Sequence, residues 1–420
     1  MTLSVSILAT GSEILDGRVL DTNSNFVARE LADMGLKLKR VLTVDDDLQE
    51  LIHGLRELAA SSDIVITSGG LGPTSDDLTR DAVAAFSGVG LSEHPAALKH
   101  VEEFFARRSR PLDATNRRQA VLPQGASMIH NERGSAPGFS AAAPGGAVVC
   151  SLSGVPSEFQ QMFRDGVVPL IEQRRGGTPP VARAAFKTLA VPESALGKLI
   201  EGLALPPDVL VSYRAAFPEV HIVLKSARKD LGAFAGQVRA AIGPDNIFTE
   251  RADESFVGRL QGLLCERKLS IATAESCTGG MVAELLTRTP GSSAVFRGSV
   301  VAYHNDIKER ELGVPAGVLS AFGAVSAETV RAMAAGVRER MQSDIAVAIS
   351  GVAGPDGGSD EKPVGTFFVG VASGSGSFEH RCLYAQERQR VRTFASFVAL
   401  DLVRRHVLGL ATPGSYPIWV

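Results

Sequence analysis

Cysteine, tryptophan and long apolar runs are scarce in this chain, and each scarcity narrows what it can be. The four cysteines among 420 residues, Cys150, Cys265, Cys277 and Cys382, lie far apart and make no C-x-x-C pair. Neither a zinc site nor a disulfide framework is expected from them, and a reducing cytoplasm fits. No uninterrupted apolar stretch of about 18 residues occurs, so no membrane-spanning helix is expected. The N-terminus enters a strand-like pattern at Leu3-Ser4-Val5-Ser6-Ile7-Leu8, without the basic start and apolar core of a secretory signal. Charge of one sign is lacking too: the net value is -3, which leaves no broad nucleic-acid footprint. The basic clusters Arg107-Arg108-Ser109-Arg110 and Arg117-Arg118 read as solvated helix faces. Hydrophobic residues make up 45% and charged ones 21%, an ordinary soluble globular composition. At roughly 100 to 200 residues per domain, the length predicts three domains, each with its own core.

From residue 1 to about 170 strands and helices alternate, the order of an α/β layer with a mostly parallel sheet. Strands are predicted at 5–8, 38–43, 63–67 and 147–152, with short ones at 125–129 and 138–140. Helices are predicted at 24–34, 48–61, 78–86 and 158–174. Residues 174–180, basic and rich in glycine and proline, read as a linker. Residues 181–250 read strand, helix, two strands, helix, short strand, a small α+β module of KH-like order. It lacks the G-x-x-G clamp that grips an RNA backbone, so it reads as a spacer or dimer scaffold. A second α/β domain runs from 253 to 412, with strands at 294–303, 344–349 and 366–372 and helices at 256–268, 327–341 and 386–405. The tail Thr412–Val420, which holds the only tryptophan, reads as a flexible extension.

Chemistry concentrates in Thr273-Ala274-Glu275-Ser276-Cys277-Thr278-Gly279-Gly280, between a strand-like run at 269–272 and the helical Met281–Arg288. A strand, turn and helix in that order place small hydroxyls and glycine amides at a helix N-terminus. Orphan donors and the dipole there can hold an anion or a developing oxyanion. The same residues also suit plain helix capping and tight packing. Further on, Tyr303 ends an apolar strand and Lys308 follows on a turn or helix, which can bring a phenol and an amine beside Ser276. A serine needs a base to become a nucleophile, and no Ser-His-Asp set is in view. A lysine kept neutral by burial can serve instead. A surface lysine and a core tyrosine fit the same spacing.

These motifs carry a family resemblance. T-A-E-S-C-T-G-G, Y-x-N-D-I-K at 303–308, G-A-V-S at 323–326 and S-G-V-A-G-P-x-G-G at 350–358, with Lys362-Pro363-Val364-Gly365-Thr366, are similar to the nicotinamide-nucleotide amidase domain of the CinA (competence/damage-inducible protein A) family. G-S-E-I-L-D-G-R-V-x-D-T-N from Gly11, G-G-L-G-P-T-x-D-D-x-T from Gly69 and S-G-V-P-x-E from Ser153 resemble that family's domain related to molybdopterin-binding proteins. The similarity spans essentially the whole chain in the family's domain order. It implies two α/β three-layer domains, 1–175 and 253–412, joined by the KH-like module 181–250, in a homodimer. It also implies that Ser276 is a nucleophile, Lys308 its base and Tyr303 a hydrogen-bonding relay, with the amides of Thr278 and Gly279 as oxyanion donors. Gly280 and the loop residues Gly351, Ala353, Gly354, Gly357 and Gly358 are then expected against the nucleotide. No cofactor is expected in that domain, and His304, at a variable position of the motif, has no role.

For the first domain the resemblance implies metal-dependent hydrolysis of ADP-ribose to AMP and ribose 5-phosphate. A pyrophosphate suits the amides of Gly69, Gly70 and Gly72 at a helix start. Gly11, Ser12, Ser68, Pro73 and Thr74, at the same strand ends, are further candidate contacts. Asp77, Asp76, Glu13 and Asp46 are candidate ligands of a divalent cation such as Mg, Mn or Co. Asp76 serves equally well as a helix cap. The expected protein is a bifunctional cytoplasmic hydrolase that also converts nicotinamide mononucleotide to nicotinate mononucleotide and ammonia, with no nucleic-acid or membrane partner. Two alternatives stand beside it: a first domain that binds a molybdopterin, and a non-enzymatic partner of the competence or recombination machinery.

Overall fold

The computed structural model describes residues 3–175, 182–227 and 230–418. The chain divides into two compact units, Met1–Val181 and Ala182–Val420. Of the expected linker, residues 176–180 lie outside the described residues.

The strands of the first unit are β1 (Val5–Thr10), β2 (Leu38–Val44), β3 (Ile64–Ser68), β4 (Leu91–Glu93), β5 (Val121–Pro123), β6 (Ser127–Ile129), β7 (Gly138–Ala142) and β8 (Val148–Leu152). Six form one sheet in the order β2-β1-β3-β8-β7-β6, and β4 pairs with β5 apart from it. β2, β1, β3 and β8 run parallel, while β7 and β6 are antiparallel. Parallel strands covered on both faces are mostly apolar, and β1 and β3 are buried at every residue, the buried Ser6 hydroxyl being bonded to that of Ser62. Their alternate side chains feed two cores. Leu8, Val65 and Val149 meet the helices Leu48–Ala59, Thr79–Ser87 and Pro95–Arg107. Ile7, Ile66 and Leu152 meet Thr22–Asp33 and Pro156–Met162. The result is three layers. The order β2-β1-β3 makes the connections from β1 diverge, which opens a crevice beyond the carboxyl ends of β1 and β3.

The second unit holds two sheets. β9 (Ala182–Leu189), β10 (Leu210–Ala216), β11 (Glu219–Ser226) and β12 (Ile247–Thr249) pair antiparallel in the order β10-β11-β9-β12, with helices Glu193–Glu201 and Gly232–Ile242. β13 (Ile271–Glu275), β14 (Phe296–Val301), β15 (Ile345–Gly351), β16 (Thr366–Ser373) and β17 (Gly376–Leu383) form the order β14-β13-β15-β16-β17. The first three are parallel and the last two antiparallel. One face of this sheet is built from Ala272, Ala274, Ala346 and Ala348, which lets the helix Ala327–Met341 lie close. A Cβ added at Gly370 would sit 2.5 Å from the Val330 carbonyl oxygen of that helix. The other face, with Ile271, Val347 and Phe367, packs the helices Phe256–Arg267 and Arg388–Leu408.

The smaller sheet does not stand apart as a link. Phe186, Ile222 and Leu224 belong to the same core as Phe256, Val347 and Phe394. Phe248 meets Phe256 edge-on at 5.2 Å, and Lys187 Nζ donates to the Glu254 carbonyl at 2.7 Å. A module this short is marginal by itself, and its apolar residues extend a larger core. The tail also departs from expectation. Tyr416 is 2% exposed, its hydroxyl donates to Asp401 at 2.6 Å, and the Ile418 N–H donates to the Ala190 carbonyl at 2.8 Å. Glycine and proline masked an alternation in which Tyr416 and Ile418 both face the body. Trp419 lies outside the described residues. Among the described residues no helix is long and apolar enough to cross a membrane.

Candidate active site

β13 is wholly buried between β14 and β15, and the chain leaves it at Glu275. That carboxylate, itself fully buried, accepts the amides of Gly280, Val282 and Ala283 at 3.0, 3.1 and 2.9 Å. The start of the helix Met281–Arg288 is therefore satisfied by the protein's own anion, not left open for a ligand's, which corrects the expected anion hold at Gly280. The Ser276 N–H donates to the Ile349 carbonyl of β15 at 3.0 Å and fixes the serine at the carboxyl end of the sheet. The Gly279 N–H turns back to the Ser276 carbonyl at 3.0 Å, with a left-handed φ of 61° that glycine takes without strain. Being so engaged, it is not the oxyanion donor the motif suggested. Among the described residues the amides of Cys277 and Thr278 donate to no oxygen, and these two remain for that role.

Lys308 lies in the helix Asn305–Leu312 and is 1% exposed. Its Nζ is 3.2 Å from Ser276 Oγ, 2.8 Å from the Ala302 carbonyl and 3.2 Å from the Tyr303 carbonyl. Burial holds its pKa below that of an ordinary lysine, and among the described residues no carboxylate pairs with it. A neutral amine fits this set when its two N–H groups donate to the two carbonyls, which leaves the lone pair for the serine hydroxyl; an ammonium would donate to all three oxygens. Cys277 is moved the other way, its thiol pushed up to about 12 by burial. The neighbour of the serine is thus a thiol, not a thiolate.

Tyr303 is placed differently from expectation. Its backbone carbonyl meets Lys308, but its side chain points outward, and the phenol oxygen accepts from Arg388 at 3.1 Å and bonds to neither Ser276 nor Lys308. Ala302, its neighbour, is the inward residue. Arg388 also donates to the Gly354 carbonyl at 2.7 Å, so the loop 351–358 and Tyr303 are fastened together at the start of the C-terminal helix. One turn on, Arg392 donates to the carbonyls of Cys277 at 3.2 Å and Thr278 at 2.8 Å. The Cys277 carbonyl belongs to the same planar peptide as the Thr278 N–H. A guanidinium on that oxygen therefore aims and polarises the Thr278 amide. Several residues of the predicted nucleotide loop serve its packing. A Cβ at Gly351 would lie 2.5 Å from Phe367 Cβ, Gly354 and Gly357 take positive φ, Ala353 is buried, and a Cβ at Gly358 would lie 2.9 Å from the Val364 nitrogen.

In the first unit a cavity of about 570 Å³ opens beyond the carboxyl ends of β1, β3 and β8. Gly11, Ser68, Gly69, Gly70, Gly72 and Pro73 line it with all four candidate carboxylates, Glu13, Asp46, Asp76 and Asp77, whereas Ser12 and Thr74 are not on its wall. The carboxylates do not converge: among the described residues no group of three or more His, Cys, Asp or Glu side chains is placed to hold a metal ion. Asp77 accepts from the Gly72 N–H at 2.7 Å, the Thr74 N–H at 2.8 Å and the Thr74 hydroxyl at 2.6 Å, and so closes its own loop. Asp46 accepts from the Thr10 hydroxyl at 2.8 Å and the Ser12 N–H at 3.2 Å. Asp76 caps no helix, since Leu78 stands at the cap position. The Gly69 amide donates to the Leu152 carbonyl, which leaves Gly70 as the glycine of the three whose amide has no acceptor among the described residues. The donor set as placed does not form a ready metal site.

Residues 253–407 match a family model described as the CinA C-terminal domain, and residues 6–173 one described as a probable molybdopterin binding domain. A CinA-like protein of Citrifermentans bemidjiense is 41% identical over 98% of this chain and 100% of its own length. The chain belongs to the CinA family. A CinA-like protein of Anaeromyxobacter sp. strain K is 42% identical over 96% of this chain and 99% of its own. The crystal structure of the competence/damage inducible protein CihA from Agrobacterium tumefaciens is 39% identical, covers 35% of this chain and 91% of that one, and superposes with a TM-score of 0.35.

Four residues escaped the sequence reading: Glu275, Arg388 and Arg392 at the Ser276 site and, in the first unit, Arg80 behind the glycine loop. Glu275 sat inside the motif, and an acid in the turn before a helix is favoured by the positive end of its dipole. Arg388 and Arg392 carried a subtler one. Basic side chains opening a helix oppose its dipole, so they are expected to answer to partners elsewhere. Arg80, 2% exposed, donates to the carbonyls of Leu71 and Gly72 at 3.0 and 2.9 Å and braces the glycine loop from behind.

Proposed function

We propose that the second unit hydrolyses the carboxamide of nicotinamide mononucleotide to nicotinate mononucleotide and ammonia. The observation that carries this reading is the 3.2 Å contact between Lys308 Nζ and Ser276 Oγ, both buried, with the amine held below its ordinary pKa. Lys308 takes the serine proton as Oγ attacks the carboxamide carbon. The amides of Cys277 and Thr278 stabilise the oxyanion, each worth roughly 3 kcal/mol in related sites. As the intermediate collapses, the protonated lysine delivers its proton to the departing nitrogen, and ammonia leaves an acyl ester on Ser276. Water attacks the ester and Lys308 takes its proton; as the bond from the acyl carbon to Ser276 Oγ breaks, Lys308 returns that proton to Oγ, and the acid leaves as the carboxylate with its own proton passed to solvent. Arg388 is exposed and bonded to the Tyr303 phenol, and its guanidinium suits a nucleotide phosphate. The choice of a nicotinamide nucleotide rests on the amidase motifs, and the reading includes a homodimer.

Ammonia release by the full-length chain tests it. Ser276→Ala is expected to lower kcat by about 10⁴-fold or more, and Cys277→Ala to leave it within about threefold. Absence of ammonia with the unaltered chain, or full turnover in Ser276→Ala, would overturn the reading.

For the first unit the reading is hydrolysis of ADP-ribose, supported by a cavity of about 570 Å³ at the strand ends beside a glycine loop. Because the carboxylates do not converge, no step there is assigned to a metal. A second reading, binding of a pterin without turnover, is favoured by the match of residues 6–173 to a molybdopterin binding domain. AMP release from ADP-ribose separates the two.

A further inference from the structure

The smaller sheet of the second unit carries an aromatic ring at the tip of its β10–β11 hairpin, at Phe217. Hairpin tips usually hold polar residues or glycine. The Phe217 ring stacks on Tyr384 with centroids 5.9 Å apart and on Phe394 at 6.2 Å, and those two rings stack on each other at 4.1 Å. The Arg390 guanidinium lies over Phe217, 4.2 Å from its centroid. All of these partners belong to one segment, 384–394, which leaves β17 and begins the C-terminal helix. Arg388 and Arg392 lie within it.

That helix start is poorly held by its own chemistry. Glu387, at the cap position, makes no side-chain capping bond, and the first turns carry Arg388, Arg390 and Arg392 at the positive end of the dipole. Val391, Phe394 and Ala395 bury one face of this turn, and the stacked rings add a clamp on the segment that aims two guanidiniums at the Ser276 loop. Docking of the smaller sheet does not require Phe217, since Phe248 against Phe256 and Lys187 against Glu254 already join it to the larger one. Phe217 is also 38% exposed, too open for a core residue.

We propose that Phe217 is a positioning residue for the amidase site. By fixing the segment 384–394 it keeps Arg392 on the Cys277 and Thr278 carbonyls, so that the Thr278 amide meets the oxyanion, and keeps Arg388 on Tyr303 and Gly354. The catalytic part of this inference rests on the amidase reading; the mechanical part does not.

Three measurements on the full-length chain test it: hydrogen exchange, ammonia release from nicotinamide mononucleotide, and the rate at which a fluorophosphonate labels Ser276. In Phe217→Ala the amides of 384–392 are expected to exchange about tenfold faster, with β9 and β12 unchanged. Per folded molecule, kcat and the labelling rate should each fall about tenfold while KM stays within about twofold, the signature of a lost transition-state contact. Phe217→Tyr, which keeps the stack, should restore all three. Unchanged exchange at 384–392, or faster exchange with undiminished labelling, overturns the proposal. If the unaltered chain releases no ammonia, the amidase reading fails, and exchange with labelling still decides the role of Phe217.

Discussion

A buried amine without a counter-charge is an expensive thing to keep, and at the scale of the residue Lys308 is where stability and activity part. Burial places its pKa below the unfolded value of about 10.4. The folded chain therefore binds fewer protons than the unfolded one between those two values. The destabilisation is full below the folded pKa and fades as pH rises toward the unfolded one. Lys308→Met is thus expected to abolish ammonia release while shifting thermal stability in its favour, by an amount that grows as pH falls. Melting temperatures of the two chains across pH check this, and a gain that shrank on acidification would sink it. The unaltered chain should show kcat/KM rising with pH to a plateau as the amine loses its proton. Among the described residues the exposed His304 ring bonds Asp306 and no group of the site, so loss of that ascending limb in His304→Ala would reassign the base.

At the scale of the element, two glycine-containing strand-to-helix loops are finished in different ways. In the second unit Glu275 caps the following helix and leaves Ser276 free to react. In the first unit Asp77 closes the glycine loop on itself, and Arg80 braces it. A carboxylate already engaged by three donors is a poor first ligand for a hard cation, which prefers one or two free carboxylates together with phosphate oxygens. The ligand-free chain is therefore expected to bind Mn²⁺ more weakly than about 0.1 mM in equilibrium dialysis. Tight binding in the absence of any nucleotide, lost in Asp77→Asn with the loop intact by hydrogen exchange, would contradict this account of the loop.

At the scale of the whole molecule, the consequence of a shared core is cooperativity. Phe256, Val257 and Leu260 of the helix that opens the last domain pack with Phe186, Ile222 and Phe248 of the smaller sheet. A fragment beginning at residue 253 uncovers that surface and cuts away the β9 segment on which Ile418 rests. It should melt well below a fragment of 182–420, by about 10 °C or more if several such side chains are exposed. Equal melting temperatures would show that the two sheets fold independently after all.

The alternation of strand and helix, the mostly apolar runs of β1 and β3 and the identity of Ser276 and Lys308 as candidate chemistry were all legible in the sequence, because burial on both faces of a parallel sheet favours apolar residues and because the motifs are local. The close pair itself joins residues 32 positions apart, and spacing alone equally allowed a surface lysine. Only the tertiary structure decided which donors and acceptors are still free. It turned the Tyr303 phenol outward, engaged the Gly279 amide, closed Asp77 on its own loop and buried Tyr416. It also brought Arg392 to Cys277 across 115 residues of chain. The physical reason is common to all of these: periodicity tells which face of an element is covered, whereas the partner on that face depends on the order in which distant strands pair, as β13 does with β15.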